Sequence, residues 1–128
     1  MQATGEFDVK LNRLAAYDAA VGRLSIDKQF HGDLEATSKG EMLAVQGAVE
    51  GSAGYVAMEQ VSGGLHGRTG TFALQHTGIM DRGVPQLTVT VVPDSGTGEL
   101  IGLVGTMKII IADGKHSYVF DYTMADIP

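Results

Sequence analysis

The chain has 128 residues, of which 44% are hydrophobic and 19% charged, and 15 acidic against 9 basic side chains give a net charge of −6. That describes one globular domain. It is too acidic and too poor in clustered cations for a nucleic-acid partner, and with no cysteine it excludes disulfide, iron–sulfur, zinc-ribbon and thiol chemistry. No apolar run reaches the ~18 residues of a membrane span. The opening Met1-Gln2-Ala3-Thr4-Gly5-Glu6 lacks the basic and apolar regions of a secretory signal, so a cytoplasmic protein with no membrane partner is expected.

Eighteen glycines against three prolines set the architecture. Glycine costs about 1 kcal/mol relative to alanine inside a helix. From residue 30 onward it recurs too often for any three-turn helix, so short strands and tight turns fit better.

Alternation places the strands in order. In the first, Ala3, Gly5, Phe7, Val9 and Leu11 oppose Thr4, Glu6, Asp8, Lys10 and Asn12. The Ala-rich segment Leu14 to Val21 is either a short helical excursion or a loop. In the second strand Leu24, Ile26 and Phe30 oppose Arg23, Ser25, Asp27, Gln29 and His31. Residues 33–50 read as one long strand broken near Gly40 or Gly47. The fourth strand spans 54–62, with Tyr55, Ala57 and Val61 on one face. The fifth spans 69–78, with Phe72 and Leu74. The sixth spans 84–92, with Leu87, Val89 and Val91. The seventh carries Met107, Ile109 and Ile111, with Ile110 making it apolar on both sides; an exposed Ile110 would suggest a contact between subunits of a homo-oligomer. The last has Tyr118, Phe120, Tyr122 and Met124 opposite Ser117, Asp121 and Thr123.

Turn chemistry is read at Ser38-Lys39-Gly40, Ser62-Gly63-Gly64, His66-Gly67-Arg68, Asp81-Arg82-Gly83 and Ala112-Asp113-Gly114. About eight strands joined by hairpins predict an all-β fold. An eight-stranded antiparallel β-barrel closes its own edges, and a two-sheet sandwich is the alternative.

The same parity puts polar residues on apolar faces. Lys28 falls between Ile26 and Phe30, Glu59 between Ala57 and Val61, and His76 follows Phe72 and Leu74. An unpaired buried charge costs several kcal/mol, so a Lys28–Glu59 ion pair with His76 beside it is expected. Tyr118 and Tyr122 share the interior face and need hydroxyl partners, and Tyr55 can join them. This is either a polar site in an apolar pocket or a set of residues that satisfy one another or lie at the barrel's open ends. Gly96, Gly98 and Gly102 miss the spacing of a dinucleotide loop, and no helix follows them, so that run reads as a glycine-rich bend. His31, His66, His76 and His116 show no metal-ligand spacing, and no nucleophile-elbow motif is present. No metal or other cofactor is expected.

Three stretches, Phe30 to Ser38, Gly70 to Gly78 and Val91 to Gly105, resemble a family of small bacterial proteins of unknown function. Its fold is similar to that of allene oxide cyclase and the dirigent proteins, a calycin-like eight-stranded barrel. The resemblance covers nearly the whole chain, and the family's pattern has positions corresponding to Lys28, Glu59 and Tyr122. The related plant cyclases hold an apolar fatty-acid epoxide and use few polar residues, notably a carboxylate and a bound water, so the resemblance implies Glu59 as a counterpart in role. Glu35 and Gln75, which lie in the family-like stretches, join the candidate site.

Three functions follow as expectations. The first is a barrel that binds a small, largely apolar metabolite, with Lys28, Glu59 and His76 orienting its polar end. The second is a cyclase or isomerase in which Glu59 acts as acid, base or charge stabiliser and His76 relays protons. The third is a solid structural barrel that assembles through an apolar outer face.

Overall fold

The structure is a computed structural model and describes residues 1–125. Its strands are β1 (Gln2–Arg13), β2 (Gly22–Gly32), β3 (Leu34–Gln46), β4 (Ala53–Leu65), β5 (Arg68–Asp81), β6 (Val84–Val91), β7 (Leu103–Ala112) and β8 (Lys115–Met124). Each pairs antiparallel with the next, and β1 pairs with β8, which closes the barrel and sets the sandwich aside. Among the described residues no helix is long and apolar enough to cross a membrane.

Several sequence expectations need correction. Leu14 to Val21 forms no helix: it is a loop carrying an isolated bridge between Asp18 and Val21. Two turns are too few to offset helix nucleation. The Asp18 carboxylate instead accepts the Ala20 N–H at 2.8 Å, a side-chain bond that favours a turn. Ser38-Lys39-Gly40 and Ser62-Gly63-Gly64 are not turns but lie inside β3 and β4. β3 runs unbroken through Gly40 and stops at Gln46, before Gly47. Gly40 is there for proximity: a Cβ on it would stand 2.0 Å from the Met58 carbonyl oxygen. The remaining three glycine turns form as expected, with Gly67, Gly83 and Gly114 all at positive φ.

The two ends of the barrel differ. At one end lie the β2–β3 and β4–β5 turns and the long β6–β7 connection. Its segment from Val92 to Leu100 runs along the edge of β5 beyond the end of β6, with Val92 N–H on the Ala73 carbonyl and Thr97 N–H on the Thr71 carbonyl. Leu100 and Leu103, each 1% exposed, close this end over Phe72, which stacks on Phe120 at 5.9 Å. Burial of such side chains stabilises by roughly 1.5–3 kcal/mol each. The glycines of the connection permit close contact; a Cβ at Gly96 would sit 1.9 Å from the Leu100 carbonyl oxygen.

The opposite end is open. Inward-facing Leu11, Met80, Leu87 and Ile111 are 48%, 39%, 42% and 67% exposed. The wall itself is incomplete there. β6 and β7 share only the pairs Val89–Met107 and Thr90–Thr106, and the β1–β8 ladder stops at Phe7–His116. From Lys108 to Lys115 the β7–β8 hairpin therefore pairs only with itself. Ile110 on its outer side is exposed.

A hairpin bonded to the barrel only at its base opens at lower free energy than a strand held on both flanks. Amide hydrogen exchange should be faster over 108–115 than over the β4–β5 ladder; equal protection would show that the hairpin is anchored by something other than backbone pairing.

Candidate functional site

Four neighbouring strands contribute to one buried polar layer. Lys28 on β2 pairs in register with Ser38 on β3, Gly40 on β3 with Glu59 on β4, and Ala57 on β4 with His76 on β5. All four polar side chains share the inward parity, and the missing side chain at Gly40 leaves the space that the Glu59 stem occupies. Lys28 is 8% exposed, Ser38 2%, Glu59 1% and His76 3%.

The Glu59 carboxylate is the hub. Its Oε1 accepts the Ser38 hydroxyl at 2.7 Å. Its Oε2 accepts Lys28 Nζ at 2.9 Å and lies 2.5 Å from His76 Nε2. A carboxylate has no proton to give, so the Nε2–H must be the donor. The Tyr55 hydroxyl lies 3.3 Å from His76 Nδ1. Burial, and then the Glu59 charge, push the Tyr55 hydroxyl above its usual range, so it stays protonated beside the imidazole. The Tyr55 ring covers Gly78, where a Cβ would come within 2.2 Å of it.

Burial alone would push the Glu59 carboxyl up. The His76 bond, the Lys28 charge and the Ser38 bond outweigh it and hold the group at about 2. It is therefore an anion throughout the neutral range. Lys28 Nζ also lies 5.0 Å from the Phe7 ring and 5.7 Å from Phe30, close enough for cation–π attraction.

Lys28, Glu59, His76 and Tyr55 meet as the sequence suggested, and Ser38 joins them. Ser38 was missed because Ser38-Lys39-Gly40 reads as a turn; its parity with Leu34 and Ala36 was the available signal. Tyr118 and Tyr122 are interior but belong to the closed end. The Tyr118 hydroxyl accepts the Leu34 N–H and lies 2.9 Å from the His31 carbonyl, bracing the β2–β3 turn. The Tyr122 hydroxyl bonds His66 Nδ1 at the β4–β5 turn. Glu35 and Gln75 are corrected: both point out of the barrel. Each adjoins an inward residue, Leu34 or His76, and in a strand adjacent residues face opposite ways. The Glu35 carboxylate accepts the Gly32 N–H at 2.8 Å and so serves the turn.

A cleft of ≈ 350 Å³ lies where β1 and β8 separate, lined by Glu6, Phe7, Asp8 and Val9 of β1 and by Gly114, Lys115 and His116 of the hairpin. Val9 is the register partner of Lys28. A larger groove, ≈ 1010 Å³, lies outside the barrel against Tyr17, Leu43, Val56 and Met58. Its charged lining residues, Arg23, Lys39 and Glu41, all reach solvent, so the buried charges belong to the lumen. Among the described residues no group of three or more acidic or histidine side chains is placed to hold a metal ion.

A closed eight-stranded antiparallel barrel with a buried ammonium–carboxylate–imidazole layer is the class of protein these features define. Residues 3–122 match the family model described as a protein of unknown function, DUF3224, and the chain belongs to that family. It is similar to a crystal structure of a protein with unknown function from the same family, from Shewanella oneidensis MR-1. The two share 52% identity and a TM-score of 0.95 over 99% of this chain and 98% of that one. No match is found among curated proteins. The expected bacterial family and the closed barrel are borne out; neither match bears on the further likeness to allene oxide cyclases and dirigent proteins.

Glu59 makes stability depend on pH. Its folded value, about 2, lies below the ordinary 4.5, so its contribution is complete above 4.5 and vanishes as pH falls from there toward 2. The loss is on the order of 3 kcal/mol. Denaturant titrations between pH 2 and 7 should show that slope in the wild type and lose it in Glu59→Gln. The same variant, leaving Lys28 buried without its counter-ion, should cost about 3–5 kcal/mol at pH 7. Ser38→Ala removes one donor to the carboxylate. It should cost about 1.5–3 kcal/mol and start the acid loss at higher pH; an unchanged acid limb would mean that the hydroxyl does not support the charge.

Proposed function

We propose that this protein binds a small, largely apolar molecule at the open end of the barrel, with its polar end at the Lys28–Glu59–His76 layer. The observation that carries the reading is the position of that layer. Desolvated charges lie at the level where the β1–β8 and β6–β7 ladders end, and a cleft of ≈ 350 Å³ there sets the apolar Phe7 and Val9 beside the polar Glu6, Asp8, Lys115 and His116. Small-molecule sites typically run from about 300 to 1,000 Å³, with mostly apolar walls and a few fixed polar groups. The unpaired hairpin 108–115 supplies a movable side through which such a molecule can enter.

A solid barrel is the second reading, and one observation favours it: among the described residues every buried side-chain nitrogen and oxygen has a hydrogen-bond partner. The cyclase or isomerase reading draws less support. A carboxyl held at about 2 with three donors around it acts as a counter-ion at neutral pH, not as a proton carrier. A cytoplasmic setting, in keeping with the absence of cysteine, belongs to the same proposal, as does association between copies through the apolar outer face.

Native mass spectrometry of freshly purified protein, followed by thermal shift against a panel of uncharged lipophilic compounds, tests this. Bound metabolite, or a rise in melting temperature that is lost in Val9→Trp, supports the binding barrel. A bare mass together with no shift from any compound supports the solid barrel. The same spectra report the number of copies.

A further inference from the structure

We infer that the polar end of the bound molecule is an uncharged oxygen acceptor, a carbonyl above all, and that Lys28 is the residue that holds it; the inference rests on the binding reading above. It comes from counting the hydrogen-bonding capacity that the polar layer leaves unspent.

An ammonium carries three N–H donors. Lys28 spends one on the protein, the bond to Glu59 Oε2. Its other neighbours within the lumen, Phe7 and Phe30, present aromatic faces and no lone pairs of that kind. The carboxylate is already crowded: Glu59 takes three donors, two of them on Oε2, and His76 Nδ1 faces the Tyr55 hydroxyl. The layer therefore offers a ligand two N–H donors on Lys28, and a carbonyl oxygen has two lone pairs to meet them.

Charge narrows the choice further. Lys28 and Glu59 cancel each other's charge. A ligand carboxylate would have to share Lys28 with Glu59 and place a second anion beside it in a desolvated site, which is unfavourable. A ligand ammonium would meet the like charge of Lys28 beside a carboxylate that already holds three donors. A neutral carbonyl meets neither obstacle. Its bond to a charged donor is worth roughly tenfold or more in affinity over an alkane of the same length.

The test is a series with one apolar body and four ends: heptane, heptan-2-one, heptanoate and heptylamine. Each is titrated into isotope-labelled wild-type protein at pH 7, with dissociation constants and locations read from amide and Lys28 side-chain resonances. The expected result is that the ketone binds about tenfold or more tighter than the other three, moves resonances of Lys28, Val9 and Tyr55, and loses that advantage in Lys28→Met. If Lys28→Met does not fold, the wild-type series decides alone. Equal binding of heptane and ketone, or tightest binding by the acid or the amine, overturns the inference and leaves the binding barrel standing. Failure of every compound, heptane included, to move a resonance near the cleft overturns both.

Discussion

The barrel is organised around one carboxylate. Glu59 sits on β4 with almost no exposure, and its two oxygens receive donors from β2, β3 and β5. Removing a carboxylate and an ammonium from water costs several kcal/mol each, and mutual attraction offsets that only when the remaining lone pairs are bonded. Here they are. The consequence reaches beyond the site. A slip of one residue in any of the three ladders between β2 and β5 would turn Lys28, Ser38, Glu59 or His76 outward and leave its partners buried alone. Apolar layers constrain register less sharply, because exchanging one aliphatic side chain for another costs little by comparison. The polar layer thus fixes how four strands align, and the aromatic layer below it, Phe7, Phe30, Phe72 and Phe120, fills the space that alignment creates.

That layer also divides the barrel into unlike halves. Below it, the chain from Val92 to Leu100 bonds to β5 beyond the end of β6, and the Tyr118 hydroxyl braces the β2–β3 turn. Above it, β6 and β7 part after two pairs and β1 outruns β8, so inward-facing side chains meet water. One end spends glycines on close contact and is packed shut. The other keeps a hairpin free on both flanks. Stability and accessibility are assigned to opposite ends of one short tube, with the charges at the boundary.

Much of this was legible because the strands are regular. Lys28, Glu59 and His76 each stand two residues from an apolar neighbour on an unbulged strand, so counting by twos placed them correctly. Counting failed where another signal intruded. Ser38 precedes a lysine and a glycine, which imitates a turn, but Gly40 is set by the approach of the Met58 carbonyl and not by a turn conformation. Glu35 and Gln75 were admitted because they lie in family-like stretches, although the same parity rule turns them outward beside Leu34 and His76. The incomplete wall was not legible at all. The pattern over 103–112 and 115–124 marks two strands and no break; that β7 shares only two register pairs with β6 shows in the pairing of the sheet and not in either strand alone.

The energetics bear on why a barrel should hold charges there at all. Replacing a buried ion pair by apolar side chains of similar volume is often neutral or stabilising by about 1–4 kcal/mol. A core that already stacks Phe72 on Phe120 and packs Phe30 against Tyr118 could be continued upward with leucine or methionine. Register alone does not demand a full charge, since a neutral hydrogen-bonded pair specifies alignment as well. What a neutral pair would not provide is an ammonium with donors left over, held by a carboxylate that already takes three donors, at the level where the wall opens. That surplus is the feature structural economy does not account for, and it is why the site reads more naturally as half of an interaction than as a completed core.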